Sequence, residues 1–555
     1  MNTFRYSIVL ATIISGTSVW AVDASSLQRD IEKNIDRTQV PISKPAELKP
    51  IIEDGKKTLV KSFRFSGNTL VESEKLQEVV APYVNQELSF QQLQQIVAKI
   101  SDYYAIHGGL AKIYLPKQDI SDGVVTIAII EGKLGKVIID NKEAVMSTEK
   151  AEKFIYAKNS RSEPIRNEQM SSSLMTLNSI GGMVAKSSIM PGEAQGSSDL
   201  VVKLKDVNRY QGDIGIDNYG HRSTGDREIN GGLIINNLSK SDLYDNLNLR
   251  YLLTEGVRYG RAAYKIPVGY SGDKIGLSAS YMKYKLLEKE NDNISGDGST
   301  YTVSLSHEHP FIMRKQENLN LSTELSYRYA KNIVMDTPTS IKKSSFITMA
   351  LNYSKADWIL KNSSTSLSAT VTGGNLDLSD LQDNYDSDQS TARTDGNYLK
   401  YVLSGRYLQG LSETLSLQFS YQYQTASTNL DSGEELALGG AFGVRAYPTS
   451  EASGDTGWTS TVELKWAATP EITPALFFDY GRIKTNIDQW AGAENETFSL
   501  GGYGIGVDWA TQSGLNFKLQ VAHRSTNGYP ADDGLNSDNS NPGETRYWVG
   551  MNYFY

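Results

Sequence analysis

Long stretches in which apolar and polar residues alternate fill the chain from Arg209 to Tyr555. Two examples are LNLSTELSYRY (319–329) and TLSLQFSYQYQ (414–424), and in both the apolar face ends in tyrosine. An alternation with a period of two predicts β-strands with one apolar and one polar face. Soluble sandwiches also alternate, but strands of about ten residues match the length that a tilted strand needs to cross a membrane. The sequence therefore predicts an all-β transmembrane barrel over residues 208–555.

The composition agrees with a barrel and excludes several other classes of protein. The 555 residues include 32 tyrosines and 47 glycines, and the mean hydropathy of −0.39 is unlike that of a helical membrane protein. It suits an outer-membrane barrel, in which aromatic girdles mark both interfaces and only alternate residues face lipid. The absence of cysteine excludes thiol catalysis and cysteine metal sites. The net charge of −9 argues against a nucleic-acid partner, which needs a basic surface.

The connections between the predicted strands fall into two classes. Some are tight, such as 255–256 and 271–273, whereas others, such as 527–544, are long, acidic and rich in turn residues. Short turns on one side and long loops on the other are typical of outer-membrane barrels, and about 350 residues at about 20 to 22 per strand predict about 16 antiparallel strands. The last segment, YWVGMNYFY, alternates to the end, so we expect Tyr553 and Tyr555 to be the C-terminal signal of the barrel.

The N-terminal region is typical of an exported protein. Residues 1–21 combine a positive charge, a short apolar core and a small-residue cleavage site, which predicts a signal peptide. Residues 22–40 are expected to hold a short amphipathic helix, followed by a polar, proline-spaced linker over 41–58. The apolar positions of this helix recur every four residues at Leu27, Ile31 and Ile35.

Two successive segments between the linker and the barrel share a mixed α+β pattern. Residues 59–132 predict one strand, two helices and two closing strands, and residues 133–207 repeat this order more loosely. Two tandem modules of similar size indicate an internal repeat. In the first module, the second helix is predicted to bury one face formed by Phe90, Leu93, Val97, Ile100 and Tyr104.

Several motifs in a fixed order resemble one known family. They are FRFSGNTL (63–70) and IIEGKLGKV (129–137) in the first module, MPGEAQGSSDLVVKL (190–204) in the second, and RYQGDIGIDNYGHRSTGDR (209–227) at the start of the barrel. Together they resemble the two-partner secretion outer-membrane transporters, the TpsB proteins of ShlB/FhaC/HecB type, which are relatives of the BamA barrel-assembly factors. The resemblance implies two periplasmic POTRA modules, a barrel in the bacterial outer membrane and a lumenal plug formed by the helix at 22–40.

The stretch GVRAYP resembles the VRGY-type motif of the sixth extracellular loop, which in this superfamily folds back into the barrel lumen. The resemblance places this loop near 431–457, and Ala446 stands where the family motif has glycine. The matching positions are Gly443, Val444, Arg445 and Tyr447.

A second stretch, FFDYG, resembles the F-x-D-x-G motif on a nearby barrel strand of the family, through Phe477, Asp479 and Gly481. The family pairing would join Arg445 to Asp479. An arginine that leaves water needs a carboxylate partner to compensate its desolvation, and a planar guanidinium can hold a carboxylate with two hydrogen bonds. The simpler interpretation from the residues alone is a surface arginine and an inward aspartate that never meet.

The resemblance implies a transporter rather than an enzyme. Its POTRA modules would capture a large unfolded exoprotein of TpsA type, and its barrel would export this partner without ATP, since no GxxxxGK[ST] motif is present. Among the cargo classes of the family we favour a contact-dependent inhibition toxin over a haemolysin or an adhesin. Two other functions stay open from the sequence, a BamA-like insertase of outer-membrane proteins and a passive porin.

The remaining predictions concern partners and cofactors. We expect a monomer that contacts outer-membrane lipid and, during biogenesis, the barrel-assembly machinery. No catalytic residues, cofactor or metal are predicted. The HEH stretch (307–309) is explained by strand periodicity, because two histidines two positions apart share a face and a metal site needs a third ligand.

Overall fold

The computed structural model describes residues 23–35, 57–194, 196–287, 295–491, 497–526, 536, 543 and 545–555. The expected signal peptide and nearly all of the expected linker lie outside these residues. In the part of the chain that is described, no helix is both long and apolar enough to cross a membrane. The described chain forms one short helix, two small α/β modules and a closed barrel of sixteen strands.

Helix α1 (Ala24–Ile35) comes first in the described chain and lies inside the barrel. The first α/β module follows it. Its elements are β1 (Lys57–Val60), β2 (Ser62–Ser66), α2 (Ser73–Val80), β3 (Gln86–Ser89), α3 (Phe90–His107), β4 (Ala111–Tyr114) and β5 (Val124–Glu131). Strand β5 pairs in parallel with β2 and antiparallel with β4, and α2 and α3 pack on one face of this sheet.

Helix α3 buries Leu93, Ile100 and Tyr104 as expected, but the prediction for Phe90 is wrong. Phe90 is 64% exposed, because it occupies the first helical position directly after the capping residue Ser89 and lies at the margin of the buried stripe.

The second module repeats the arrangement and is attached to the periplasmic end of the barrel. It contains β6 (Lys133–Glu143), α4 (Thr148–Tyr156), α5 (Asn167–Ser179), β7 (Met183–Pro191) and β8 (Ser197–Asp206), with sheet order β6-β8-β7. Tyr244, from a barrel turn, inserts into the module core and donates a hydrogen bond from its hydroxyl to Asp206 Oδ1 at 2.5 Å. Glu168 on α5 also forms an ion pair with Arg314 of the barrel.

All sixteen barrel strands pair antiparallel with their neighbours. The last strand pairs with the first through five residue pairs, between Gly550–Phe554 and Asp213–Asp217. The strands before the sixth loop are β9 (Tyr210–Asp217), β10 (Glu228–Asn236), β11 (Asn246–Leu253), β12 (Val257–Val268), β13 (Asp273–Lys285), β14 (Gly296–Arg314), β15 (Glu317–Val334), β16 (Thr337–Ala356), β17 (Ser363–Asp377), β18 (Gly396–Gly410) and β19 (Leu415–Ala426). A helix, α6 (Gln382–Ser390), lies between β17 and β18. The sixth loop contains β20 (Leu436–Leu438) and β21 (Ala452–Gly454), and the barrel continues with β22 (Thr456–Trp466), β23 (Ile472–Lys484), β24 (Thr497–Ala510), β25 (Leu515–Arg524) and β26 (Thr545–Phe554).

The predicted alternation separates a lipid-facing from a lumenal surface. On β15, Leu325 and Tyr327 are exposed on the outer face, whereas Ser326 between them is buried on the lumenal face. The connections depart from the expected division, because two tight turns, 335–336 and 255–256, lie at the same end of the barrel as the sixth loop. The second of them joins β11 to β12. That turn is short because β11 and β12 form a direct hairpin, closed by the backbone hydrogen bond from Thr254 N–H to Val257 O.

Candidate functional site: the anchored sixth loop and the plug helix

The sixth loop, residues 427–455, folds into the barrel lumen, where the short hairpin of β20 and β21 supports its tip. The loop ends at 455 rather than at the expected 457, because Thr456 and Gly457 already belong to β22. At the tip, Tyr447 N–H donates to Val444 O at 3.1 Å, so Arg445 and Ala446 are the central residues of a β-turn. Neither has a positive φ, which explains how alanine fits where the family motif has glycine.

Arg445 binds two carboxylates of the barrel wall. Its Nε and Nη2 donate to Asp479 Oδ2 and Oδ1 at 2.8 and 2.7 Å, and its backbone N–H donates to Oδ2 at 3.1 Å. Nη1 donates to Glu463 Oε1 at 2.6 Å, and the guanidinium carbon lies 3.4 Å from the ring centroid of Phe477. Arg445 is only 4% exposed. A bidentate contact of this kind fixes the orientation of the loop tip as well as its position.

Two glycines, which have no side chain, form part of the barrel wall that contacts the loop tip. Gly481, two positions after the fully buried Asp479 on β23, faces the loop, and a side chain there would begin 2.8 Å from Leu438 Cδ2. Gly502, which pairs with Asp479 from the neighbouring strand, faces Ala446 in the same way at 2.6 Å. The loop therefore docks at a distance that only residues without a side chain permit.

Further contacts hold both sides of the turn. Tyr447 is fully buried, and its hydroxyl donates to Thr526 O at 2.9 Å while the Arg524 guanidinium lies over its ring at 4.4 Å. From the last strand, Trp548 Nε1 donates to Arg445 O at 2.7 Å. The tip is thus bound to strands on both sides of Asp479. Gly443 stands at the start of the turn and donates its N–H to Gly440 O.

The plug helix α1 lies against the lumenal wall formed by β12 to β15. Leu27 and Ile31 pack into a buried cluster with wall residues such as Met282. The Gln28 amide donates to Ser280 Oγ at 2.8 Å, and its Oε1 accepts from Thr300 Oγ1 at 3.0 Å. The helix ends at Ile35, whose side chain lies outside the described residues.

The plug helix also binds the sixth loop directly. Arg29 Nη1 donates to the backbone oxygens of Ser432 and Glu435 at 2.8 and 2.9 Å. Asp30 accepts a hydrogen bond from Ser450 Oγ at 2.5 Å on the other side of the loop. The helix therefore rests between the barrel wall and the loop.

Lumenal cations of the wall bring helix and loop together. Lys342 on β16 pairs with Asp23 of the plug segment at 3.3 Å and also with Asp431 of the loop. On the adjacent strand β15, Arg328 pairs with Glu434 of the loop at 3.0 Å. Lys342 is therefore an ion-pair partner of both elements that fill the lumen, the plug segment and the loop.

A cavity of about 650 Å³ lies between the loop tip and the lumenal side of β15 to β19 and β22. Arg445 and Glu463 form part of its boundary. Most of the remaining lining consists of uncharged amide and hydroxyl side chains, such as Asn320, Asn352, Ser366, Ser368, Ser404 and Gln418.

The predicted C-terminal residues lie away from this site, on the outer face of the closing strand. Tyr553 and Tyr555 are exposed there and stack at 6.5 Å. Sequence reasoning missed Glu463 and Arg29. On the strand before FFDYG, the alternation of inward and outward side chains places Glu463 on the lumenal face. Arg29 lies on the polar face of the amphipathic helix. These two patterns could have indicated both residues.

The two histidines of the HEH stretch share one carboxylate as their partner. His307 Nε2 and His309 Nδ1 both contact Asp273 Oδ1, at 3.0 and 2.8 Å, near a periplasmic turn. Among the described residues, no group of three or more histidine, aspartate or glutamate side chains could hold a metal ion.

Similar proteins cover almost the whole chain. The Heme/hemopexin transporter protein HuxB of Haemophilus influenzae (strain 86-028NP) is 24% identical over 578 residues, covering 99% of this chain and 98% of HuxB. The Outer membrane transporter CdiB of Dickeya dadantii (strain 3937) is 24% identical over 421 residues, covering 74% of this chain and 72% of CdiB.

Solved structures share the fold. CdiB from Escherichia coli is similar with a TM-score of 0.67 at 20% identity, over 96% of this chain and 98% of that one. BamA from Haemophilus ducreyi lacking POTRA domains 1-3 gives a TM-score of 0.52 at 12% identity, over 90% of this chain and 100% of that one.

Two family models match, "POTRA domain, ShlB-type" over residues 58–132 and "Haemolysin secretion/activation protein ShlB/FhaC/HecB" over residues 196–509. These matches confirm the resemblance seen in the sequence, the fold of POTRA modules followed by a barrel, and the location in the outer membrane with the modules in the periplasm. Since the second model spans more than half of the chain, this protein belongs to the ShlB/FhaC/HecB family of outer-membrane transporters of secreted proteins.

Proposed function

We propose that this protein captures an unfolded exoprotein with its POTRA modules and exports it through the barrel lumen without ATP. The observation that carries the proposal is the occupied lumen. A barrel that leads away from two periplasmic modules is filled by a helix and a loop, and both are bound by side chains rather than built into the sheet. Such elements close the pore at rest and leave a path when they move.

Strand β7 is the candidate capture site on the second POTRA module. Among the strands that the structure describes, β7 pairs with β8 alone, so its other edge has backbone groups available for an added strand. Val184, Ile189 and Met190 are exposed along it. An extended segment of the exoprotein can pair with this edge. Backbone hydrogen bonds would then supply the affinity and side-chain contacts the specificity.

The lumenal cavity suits passage of an extended chain. Its amide and hydroxyl side chains can exchange hydrogen bonds with any peptide backbone, whatever the cargo sequence, and its charged lining consists of Glu463 and four cations, Arg406, Arg445, Lys465 and Lys518. The sequence holds no GxxxxGK[ST] motif for a nucleotide, so directional movement comes from folding of the exoprotein outside the cell.

The filled lumen and the two modules do not favour a passive porin. The likeness to BamA concerns the fold, and two POTRA modules fit secretion better than membrane insertion. For the cargo, a contact-dependent inhibition toxin is favoured by the CdiB relatives. A cargo connected with heme or hemopexin transport is the second candidate, favoured by the match to HuxB over 99% of this chain.

The test is secretion of the partner exoprotein, co-expressed with the transporter, by the wild type and by Ile189→Lys on β7. We expect the variant to insert normally, shown by heat-modifiable migration, and to lose most secretion. Val145→Lys, at a position that is equally exposed but outside the edge strand, is the matched control and should secrete normally. Full secretion by the β7 variant would refute capture at this edge. Secretion by a variant lacking residues 57–206 would refute POTRA-dependent export.

A further inference from the structure

A basic pair lies on the lipid-facing side of the barrel, at the extracellular ends of β12 and β13. Arg258 and Lys283 are directly opposite each other in the strand register. Their neighbours Tyr259 and Met282 point into the lumen, where they pack beside the plug helix. Because side chains alternate along a strand, both cations point outward, and both are exposed.

The depth of this pair in the membrane follows from strand geometry. Val268 and Arg258 share the outer face of β12 and are ten positions apart. With a rise of about 3.3 Å per residue and a tilt of about 40°, this distance spans about 25 Å, the height of the apolar band of such barrels. Tyr281 lies two positions before Lys283 on the same face of β13, closer to the membrane centre, and pairs with Tyr301. These two tyrosines belong to the outer aromatic girdle. The cations therefore lie at the headgroup level of the extracellular leaflet.

The two cations lack compensation within the described protein. Like charges at directly opposite positions of neighbouring strands repel each other. Among the described residues, neither Arg258 nor Lys283 has an ion-pair partner. Lys343, on the outer face of β16 at the same end of the barrel, pairs instead with Asp380 at 2.6 Å. An anion bound between Arg258 and Lys283 would remove the repulsion.

The outer surface is recessed directly below the basic pair. Gly260 pairs with Tyr281, and a side chain at Gly260 would meet no atom within 4 Å. Ala262 and Ala279, also paired, continue this recess toward the membrane centre. The groove has a volume of about 820 Å³ and is bordered by Tyr281 and Tyr301. Its small apolar floor and aromatic border suit an acyl chain.

We propose that this surface, formed by Arg258, Lys283, Gly260, Ala262 and Ala279, binds the phosphorylated, multi-acyl glycolipid of the extracellular leaflet, the lipid A part of lipopolysaccharide. A phosphate lies between the two cations and an acyl chain lies in the recess. Charge and depth together select this occupant, because phosphate stands at the level of the cations and hydrocarbon directly below it. The lipid and the plug helix then contact opposite faces of the same two strands.

The test titrates the purified full-length protein in detergent with bisphosphorylated lipid A and measures bound lipid by native mass spectrometry. The double variant Arg258→Gln/Lys283→Gln should bind at least about tenfold more weakly, as expected for the loss of charge-assisted hydrogen bonds. Lys343→Gln, which removes a paired cation outside the groove, should bind like the wild type. Heat-modifiable migration verifies the fold of each variant. Equal affinity of the double variant and the wild type would overturn the proposal.

A second variant separates the two parts of the site. Gly260→Leu fills the recess and leaves both cations, so it should weaken binding of lipid A but not of its deacylated, phosphorylated headgroup. The wild type should discriminate in the same sense between lipid A and its dephosphorylated form. Equal binding of the dephosphorylated form, or of phosphatidylglycerol, would show that the surface does not recognise the phosphorylated glycolipid, and the proposal would be wrong.

Discussion

The contact between Arg445 and Asp479 permits a quantitative prediction of how firmly the sixth loop is anchored. Asp479→Ala removes three of the four hydrogen bonds that the N–H groups of Arg445 donate and leaves the buried guanidinium with Glu463 alone. Removing one partner of a buried ion pair costs about 3 to 5 kcal/mol. Since about 1.4 kcal/mol corresponds to a factor of ten, the ratio of docked to undocked loop should fall by about two to four orders of magnitude.

The assay uses the absence of cysteine from the chain. Val444 is fully buried beside Arg445 and similar in size to cysteine, so a single Val444→Cys reports undocking through its reaction with a membrane-impermeant maleimide. When opening and closing are faster than the reaction, the labelling rate follows the undocked population. We expect the rate to rise steeply in Asp479→Ala, and secretion of the exoprotein to fall while heat-modifiable migration stays normal.

A double-mutant cycle shows whether the effect belongs to this pair. Arg445→Ala alone leaves the fully buried Asp479 without its cation and Glu463 with Lys465 as its cation, so it should also undock the loop. The double variant Arg445→Ala/Asp479→Ala should cost less than the sum of the single variants, because residues in direct contact are coupled. Strict additivity, or a labelling rate in Asp479→Ala equal to that of the parent protein, would refute the anchor.

Three further predictions concern neighbouring parts of the molecule. Gly481→Val places a branched side chain against Leu438 of β20, so secretion should fall while the barrel still folds. Unchanged secretion would show that the loop can dock farther from the wall. Arg29→Ala removes two hydrogen bonds between plug helix and loop, so planar-bilayer recordings should show more frequent open-channel events than the wild type shows. In the first POTRA module, burial alone would raise the pKa of Glu131, but hydrogen bonds from the Thr69 hydroxyl, two backbone N–H groups and the Tyr104 hydroxyl outweigh burial and lower this pKa. Glu131 therefore stabilises the module above its unfolded pKa of about 4.3, and the contribution is lost as the pH falls through the lower folded pKa. Hydrogen exchange of the module should show this loss in the wild type and not in Glu131→Gln.

The barrel could be predicted because membrane and backbone impose strong constraints. A strand that faces lipid on one side must alternate, and a sheet in a membrane must close so that no backbone group is left unpaired. Both constraints act on local sequence, so strand type and approximate number follow from it. Phe90 shows the limit of local patterns, since the helical period places it near the buried face but it lies at the margin of the buried stripe, directly after the capping residue of α3, and is exposed.

The site was less accessible from the sequence. The pairing of Arg445 with Asp479 was expected only through the family resemblance, and from the residues alone the two could equally have stayed apart. The contact between Asp23 and Lys342 joins residues 319 positions apart and leaves no local pattern. Glu463 was missed for a related reason, because an inward carboxylate on a barrel strand is indistinguishable from a solvated one until the loop that covers it is placed.

The distribution of charges decides which of the two lumenal elements moves more easily. When α1 leaves, Lys342 keeps Asp431, and Arg29 departs together with its ion-pair partner Asp30 at 2.9 Å. Among the described residues, no buried charge on the wall loses its last ion-pair partner, so departure of the helix costs the apolar contacts of one short stripe and the hydrogen bonds of Gln28, Arg29 and Asp30. When the loop tip undocks, Arg445 leaves two carboxylates behind in the wall, one of them fully buried. Loss of a buried charge partner costs several kcal/mol, whereas withdrawal of a pair as a unit does not. We therefore expect the plug helix to be released before the sixth loop, which the wall holds more firmly.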